Sequence, residues 1–287
     1  MKVNILKLNH PDYPAPLKQL ADRPDQLYWL GSHPGSWLKQ PKVAIVGSRK
    51  ATAYGLGVAA QLASELAAKG VVIISGLAFG IDAAAHRGAL QAAGRTVAVL
   101  PTPLNNIYPA SHRSLSQQIL SSGGSLISEY RAGTASFKTN FIARNRLVSG
   151  LADVVVIPEA AVNSGSLHTA RFGLEQGKTV MAVPGNVTNP NSEGSNNLIK
   201  SGALPVTNSE DVLLALGFKS VTGRQPKQFQ GSPQARQVLE LITSGITAQE
   251  ELAVISHLDG PAVASSLTML EIGGYIKAQG AGHWIAI

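Results

Sequence analysis

The sequence predicts a doubly wound, Rossmann-like α/β domain with a mostly parallel sheet, followed by a small C-terminal winged-helix domain. Three observations carry that prediction. Six short apolar runs rich in β-branched residues recur between Lys42 and Gly185, each followed by a helical pattern. A polar stretch with no apolar period, SVTGRQPKQFQGSPQ, occupies 220–234 and reads as a linker. Beyond it, three helical patterns lead into GYIKAQGAGHWIAI, a hairpin signal with Gly280 and Gly282 in its turn.

Taken in order, residues 1–41 are Pro-rich with scattered aromatics and are expected to pack on the main domain as an extension. The predicted strands are KVAIVGS (42–48), VVIISG (71–76), TVAVLP (96–101), SLISEY (125–130), DVVVIPE (153–159) and TVMAVPG (179–185). Near-continuous apolar strands separated by helices belong to a parallel sheet covered on both faces. The main domain is therefore expected over 42–219 and the winged helix over 235–287. In such sheets ligands bind beyond the carboxyl ends of the strands, so the loops after each run matter most.

After the first run comes GSRKATAYG, with Gly47, Ser48 and Arg49 at its head. A glycine and a serine between strand and helix can leave amides free for a phosphate, or can simply make the turn. The spacing is neither GxGxxG nor GxxxxGK[ST], so ordinary dinucleotide or ATP binding is not supported. After the second run, Asp82 and His86 share one helical face; packing explains them better than a metal pair, since no third ligand stands at a suitable spacing. After the fifth, Ser164, Gly165 and Ser166 precede a helix, where they can cap it or admit a phosphate to its amides. Neither a GxSxG elbow nor a triad accompanies these serines.

Between Glu129 and Asp153 the chain carries four cations, Arg131, Lys138, Arg144 and Arg146, and no acid. If 138–149 is helical, Lys138, Asn145 and Ser149 form one stripe, and Phe137, Phe141, Arg144 and Val148 the neighbouring one. Cations track phosphates and a ring beside them can stack an unpaired base. Alternatively the rings are core and the arginines cap carbonyls or pair with distant acids.

The whole chain has 287 residues, a net charge of +7, 44% hydrophobic and 14% charged residues, and no cysteine. That composition is globular, and disulfide or thiolate chemistry is excluded. No apolar run approaches the roughly 20 residues of a membrane span, and no signal-peptide core opens the chain, so a cytoplasmic protein without membrane contact is expected. From Ala235 onward two cations face five acids, giving −3; against +7 for the whole chain, the preceding residues carry +10. A polyanion should therefore meet the front of the chain. Of the winged helix, the candidate recognition segment PAVASSLTMLEIGG holds no cation, which favours a protein contact over duplex reading.

Taken together, HPDYPAPLKQLADRPDQLYWLG, VAIVGSRKATAYG, SGLAFGIDAAAHRGAL, NNIYPASHRSL, FIARNRLVSGLAD, EAAVNSGSLHTARFGLEQGK and AVPGN…GSNNLIKSGA resemble the DNA-processing protein A family (DprA, or Smf). They fall in order from His10 to Ala203, and the tail is similar to that family's winged helix. The resemblance implies a homodimer that binds single-stranded DNA without a cofactor or metal, protects it during natural transformation, and helps load the RecA recombinase. It places DNA contacts at Arg49 and at Lys138, Phe141, Arg144, Asn145 and Arg146 in and around FIARNR, with Gly47, Ser48 and Ser164–Ser166 lending polar groups. It adds Lys178 and Lys200 as strand-tracking cations. The chain departs from the family pattern at Arg131 and Ala132, where prolines are usual, and at Pro101 and Pro103, where glycines are usual. The helical domain that precedes the Rossmann domain in many members of the family is not expected here, where a Pro-rich lead-in stands instead. The rival expectation is a nucleotide phosphoribohydrolase-like enzyme of the same fold, ranked lower because Arg171 and Phe172 stand where its catalytic glutamate is needed.

Overall fold

The computed structural model describes residues 3–219, 231–280 and 282–286. The expected linker at 220–234 lies largely outside the described residues. The chain divides into two compact units, 1–220 and 221–287, each with its own apolar core.

The first unit opens with β1 (Asn4–Lys7), α1 (Ala15–Lys18) and β2 (Gln26–Gly31). It continues through β3 (Lys42–Ile45), α2 (Ala53–Ala68), β4 (Val72–Ser75), α3 (Ile81–Gln91), β5 (Thr96–Leu100), α4 (Arg113–Ser121) and β6 (Ser125–Ser128). Then come α5 (Lys138–Leu151), β7 (Val154–Ile157), α6 (Ser166–Glu175), β8 (Thr179–Ala182), α7 (Glu193–Lys200), β9 (Leu204–Pro205) and α8 (Ser209–Ala215). Among the described residues, nine strands form one sheet in the order β1-β2-β6-β5-β4-β3-β7-β8-β9. Every pairing from β6 to β9 is parallel, whereas β1–β2 and β2–β6 are antiparallel.

Each predicted run contributes a strand, and residues 3–41 add two more at one edge. Tyr28 stands opposite Ser128 and Trp29 opposite Ile127. Trp37 is fully buried and its indole donates to Ser125 Oγ at 3.2 Å. The extension is thus built into the sheet.

Side chains alternate across the strands, and both faces are buried. Ala44, Val72 and Ile74 face one layer, packed by Leu147, Val148 and Leu151 of α5 and Ala170 of α6. Val43, Ile45 and Ile73 face the other, packed by Leu62 and Leu66 of α2, Ile81 and Ala85 of α3 and Val212 of α8.

The strand order decides where a ligand can sit. From β3 the chain steps to β4, β5 and β6 on one side, then returns to place β7, β8 and β9 on the other. The crossover connections diverge between β3 and β7, which opens a crevice beyond the carboxyl ends of those two strands.

The second unit comprises α9 (Pro233–Thr243), α10 (Gln249–Ser256), α11 (Gly260–Ile272), β10 (Ile276–Gly280) and β11 (His283–Ala286), a winged helix. Its core joins Val238, Ile242, Leu252, Val263, Leu267, Leu270 and Ile276. Helix α9 starts inside the expected linker because Ser232 caps it, accepting from the Ala235 amide at 3.2 Å, and Pro233 preforms its first turn. In the hairpin, Gly280 ends β10 and Gly282, at φ +75°, immediately precedes β11.

Candidate nucleic-acid interface

A cavity of about 500 Å³ occupies the crevice. Its walls come mainly from Val46–Lys50 after β3, Gly76 and Ala78 after β4, one side of α5, and Ala161 and Asn163–Ser166 after β7, with Asp82, Thr169 and Asn191 completing them. From α5 it takes Phe141, Ile142, Arg144, Asn145 and Val148, the residues that one to two helical turns bring to one side.

The cavity thus gathers Gly47, Ser48, Arg49, Phe141, Arg144, Asn145, Ser164, Gly165 and Ser166. Arg49 is exposed and its guanidinium lies 5.4 Å from the Phe141 ring centroid, a cation over an aromatic face. Asn145 Nδ2 donates to Gly165 O at 3.2 Å and ties α5 to the loop before α6. Ser164 and Ser166 hydroxyls share a hydrogen bond of 2.8 Å. At Gly165 a Cβ would meet nothing within 4 Å, so the space beside that peptide is open.

Arg144 is only 4% exposed. Its Nη1 donates to Gly76 O at 2.6 Å and also to Val99 O, joining the ends of β4 and β5. Burial lowers its pKa to about 10, which leaves it a cation at neutral pH, and Asp82 opposes that shift. Asp82, read in the sequence as packing, lines the same cavity and accepts from the Gly76 amide at 3.0 Å and the Ala78 amide at 3.3 Å. Burial pushes its carboxyl up, against the pull of Arg144 and those two amides. A Cβ on Gly76 would sit 2.6 Å from both the Arg144 guanidinium carbon and Asp82 Oδ2, so glycine is needed for this close approach.

The β3–α2 loop differs from expectation in one respect. Its amides are mostly taken by protein acceptors: Ser48 N–H bonds Glu159 O at 2.8 Å, Lys50 N–H bonds Ser48 Oγ at 3.1 Å, and Thr52 N–H bonds Glu159 Oε1 at 2.9 Å. Thr52 Oγ1 also donates to Glu159 Oε2 and caps α2, accepting from Gly55 N–H at 3.2 Å. The buried Glu159 carboxylate therefore stands at the N-terminus of α2, where the helix dipole favours an anion, and fixes the loop. The loop's contribution to the cavity is chiefly the Arg49 side chain. Glu159 carried no signal in the sequence beyond following an apolar strand.

Four predicted cations lie outside the cavity walls or are spent elsewhere. Arg146 is two residues from Arg144, hence about 200° around the helix, and turns the opposite way. It bonds Glu129 through both oxygens, at 3.1 and 2.7 Å, and Asp22 Oδ2 at 3.3 Å, so it fastens the N-terminal extension to α5. This corrects its assignment to the interface. Lys178 immediately precedes β8, which places it at the sheet's amino edge beside Asp153 and Lys42, opposite the cavity; burial lowers its pKa. Lys138, the first residue of α5, and Lys200, the last of α7, are exposed and do not line the cavity.

Glu175, the first acid of α6, forms an exposed ion pair with Arg171 at 3.3 Å. Among the described residues no group of three or more potential ligands could hold a metal ion, and no helix is long and apolar enough to cross a membrane.

A doubly wound sheet with a cavity at its strand-order reversal, followed by a winged helix, defines a Rossmann-like protein with an appended winged-helix unit. The chain belongs to the DNA recombination-mediator protein A family (DprA/Smf), whose model matches residues 4–217, and the DprA winged-helix model matches 223–282. It is 38% identical over 279 residues to Protein Smf of Escherichia coli K12, spanning 94% of this chain and 74% of that one. It is 40% identical over 206 residues to the DNA processing protein DprA of Streptococcus pneumoniae, covering 72% of each. The solved structure of DprA from that species superposes with a TM-score of 0.69, covering 75% of this chain and 74% of the other. DNA processing protein A from Helicobacter pylori, described for its single-stranded DNA binding mode, superposes at 0.67 with 35% identity, covering 75% and 96%.

Proposed function

We propose that this chain binds single-stranded DNA in the crevice between β3 and β7, protects it during DNA uptake, and hands it to a recombinase of the RecA type. The observation that carries the reading is the conjunction, in one open cavity, of an exposed guanidinium, an aromatic ring beside it and two serine hydroxyls flanking an unobstructed glycine. Phosphates are met by Arg49 and the Ser164–Ser166 loop. Phe141 offers a surface to an unpaired base. Arg144 supplies buried positive charge, its donors being held by the strand ends. Lys138 and Lys200 extend the track outside the cavity. A function in the cytoplasm as a homodimer belongs to the same reading, as does binding that leaves the strand uncut.

The relative from Helicobacter pylori, described as binding single-stranded DNA and aligned over three quarters of this chain, supports the assignment. So does the charge partition, which concentrates +10 ahead of residue 235. The test is oligo-dT binding over a salt series with Arg49→Ala. Each phosphate contacted contributes about −0.7 to the slope of log K against log salt. Arg49→Ala should weaken binding and make the slope shallower by roughly one contact. Unchanged affinity and slope in a folded variant refute the assignment.

A further inference from the structure

Beside the main cavity lies a second recess lined by Arg49, Gly76, Ala78, Phe79, Pro101, Tyr108, Pro109, Phe141 and Arg144. It shares Arg49, Gly76, Ala78, Phe141 and Arg144 with the cavity, so these side chains and the β4 loop lie between the two. Two aromatic side chains line the recess that do not line the cavity and are not among the expected contacts, Phe79 after β4 and Tyr108 after β5. Tyr108 is 50% exposed and Phe79 47%, although burial would be worth more to rings of this size.

Both rings are held in place despite that exposure. Tyr108 meets Phe141 edge to face, with centroids 5.2 Å apart and an interplanar angle of 82°. Phe79 meets His112 at 4.9 Å and 64°, and His112 is itself buried, with Nδ1 hydrogen-bonded to Leu77 O at 2.9 Å. An edge-to-face pair covers at most one face of one partner, so a planar ligand can still find a face. Rings already ordered in the free protein lose little rotamer entropy on stacking. The recess itself, about 30 Å³, is too small for a nucleobase, so a base would lie on the rings at its mouth.

We propose that Tyr108 and Phe79 form a second base-stacking site, so that the interface takes consecutive nucleotides of one strand. One base lies at the Phe141 cavity and the next on the Tyr108–Phe79 shelf, with the Arg49 guanidinium between them near the connecting phosphate. The ligand class is an unpaired nucleobase within a strand, of any sequence, because every base has a π-face. This inference rests on the strand-binding reading above.

The test compares short oligo-dT with an abasic oligomer of equal phosphate number, using the full chain and Tyr108→Leu, Phe79→Leu and Arg49→Ala. Each shelf variant should lose roughly tenfold in oligo-dT affinity, with abasic binding and salt slope unchanged, and Tyr108→Trp should restore it. Both shelf residues are half exposed, so the variants should fold; if Tyr108→Leu fails to, Phe79→Leu decides alone. Equal affinity of wild type and shelf variants for oligo-dT overturns the shelf, as does a loss shared equally by the abasic oligomer. If Arg49→Ala weakens binding while the shelf variants do not, the shelf alone fails. If Arg49→Ala also leaves binding intact, the strand-binding reading fails with it.

Discussion

At the scale of single residues, two positions separate the demands of folding from those of binding. Gly165 has φ −61° and ψ −18° and no neighbour within 4 Å of a Cβ, so nothing in the free protein requires glycine there. Gly165→Val should change stability by less than about 0.5 kcal/mol, as a surface substitution does. If a phosphate approaches that peptide, the same change should weaken oligo-dT binding; melting and anisotropy on one sample check both. His86 behaves oppositely. Thr96 Oγ1 gives its proton to Ile73 O at 2.8 Å, so it accepts from His86 Nδ1 at 2.7 Å, and His86 Nε2 is left buried without a partner. Burial lowers this histidine from 6.5 to about 3, and His112, Arg144 and Arg87 act in the same direction. Between about pH 6.5 and pH 3 the unfolded chain binds a proton that the native state refuses. Stability is therefore full above pH 6.5 and falls on acidification, by up to about 1.4 kcal/mol per pH unit. His86→Leu should lose roughly 1 kcal/mol at pH 7 with its hydrogen bond, yet show a flatter acid limb in urea midpoints taken from pH 7 to 4.

At the scale of elements, the site depends on how one loop rests on another. Gly80 has φ +73°, and a Cβ there would lie 2.1 Å from Ser48 O and 2.9 Å from Arg49 C. Gly80→Ala should cost about 1–3 kcal/mol, from a positive φ and a backbone clash together, and should displace the Arg49 loop. Stability and oligo-dT affinity should fall together; a variant that loses only one of them contradicts this coupling. The strands were legible because β-branched runs doubly buried by helices have no polar interruptions, as in VVIIS and DVVVI. The stripe Phe141, Arg144, Val148 was legible because helical spacing alone fixes it, and the cavity takes Asn145 from the neighbouring stripe while leaving out Lys138 and Phe137. What escaped notice depends on distant sequence. QLYWLG has no β-branched residue and NILK only one, so neither announces a strand; β2 finds its place by pairing with β6 about a hundred residues later, and β1 by pairing with β2. Arg146 looked unpaired because its acids, Glu129 and Asp22, lie outside the acid-free window. Asp82 and Glu159 read as packing or as nothing, since a buried carboxylate is recognised by the amides and guanidinium around it.

At the scale of the whole molecule, charge and architecture are partitioned together. The crevice and every proposed strand contact lie in the first unit, whereas 235–287 carries −3 and folds on its own apolar core. Arg224 and Lys227 are the charges between them, so a chain ending at residue 219 keeps a net charge of +8. Non-specific affinity follows the phosphates neutralised, not the net charge, so such a chain should bind oligo-dT within a few-fold of the full length. Its salt slope should match, because the contacted phosphates are the same. The isolated 231–287 unit should bind neither single strands nor duplex at 0.15 M salt, where the Debye length of about 8 Å leaves its scattered cations screened. Matched titrations of the full chain, 1–219 and 231–287 against single- and double-stranded oligonucleotides decide the matter. A collapse of the salt slope in 1–219 would move the interface into the second unit, and with it the role assigned to the crevice between β3 and β7.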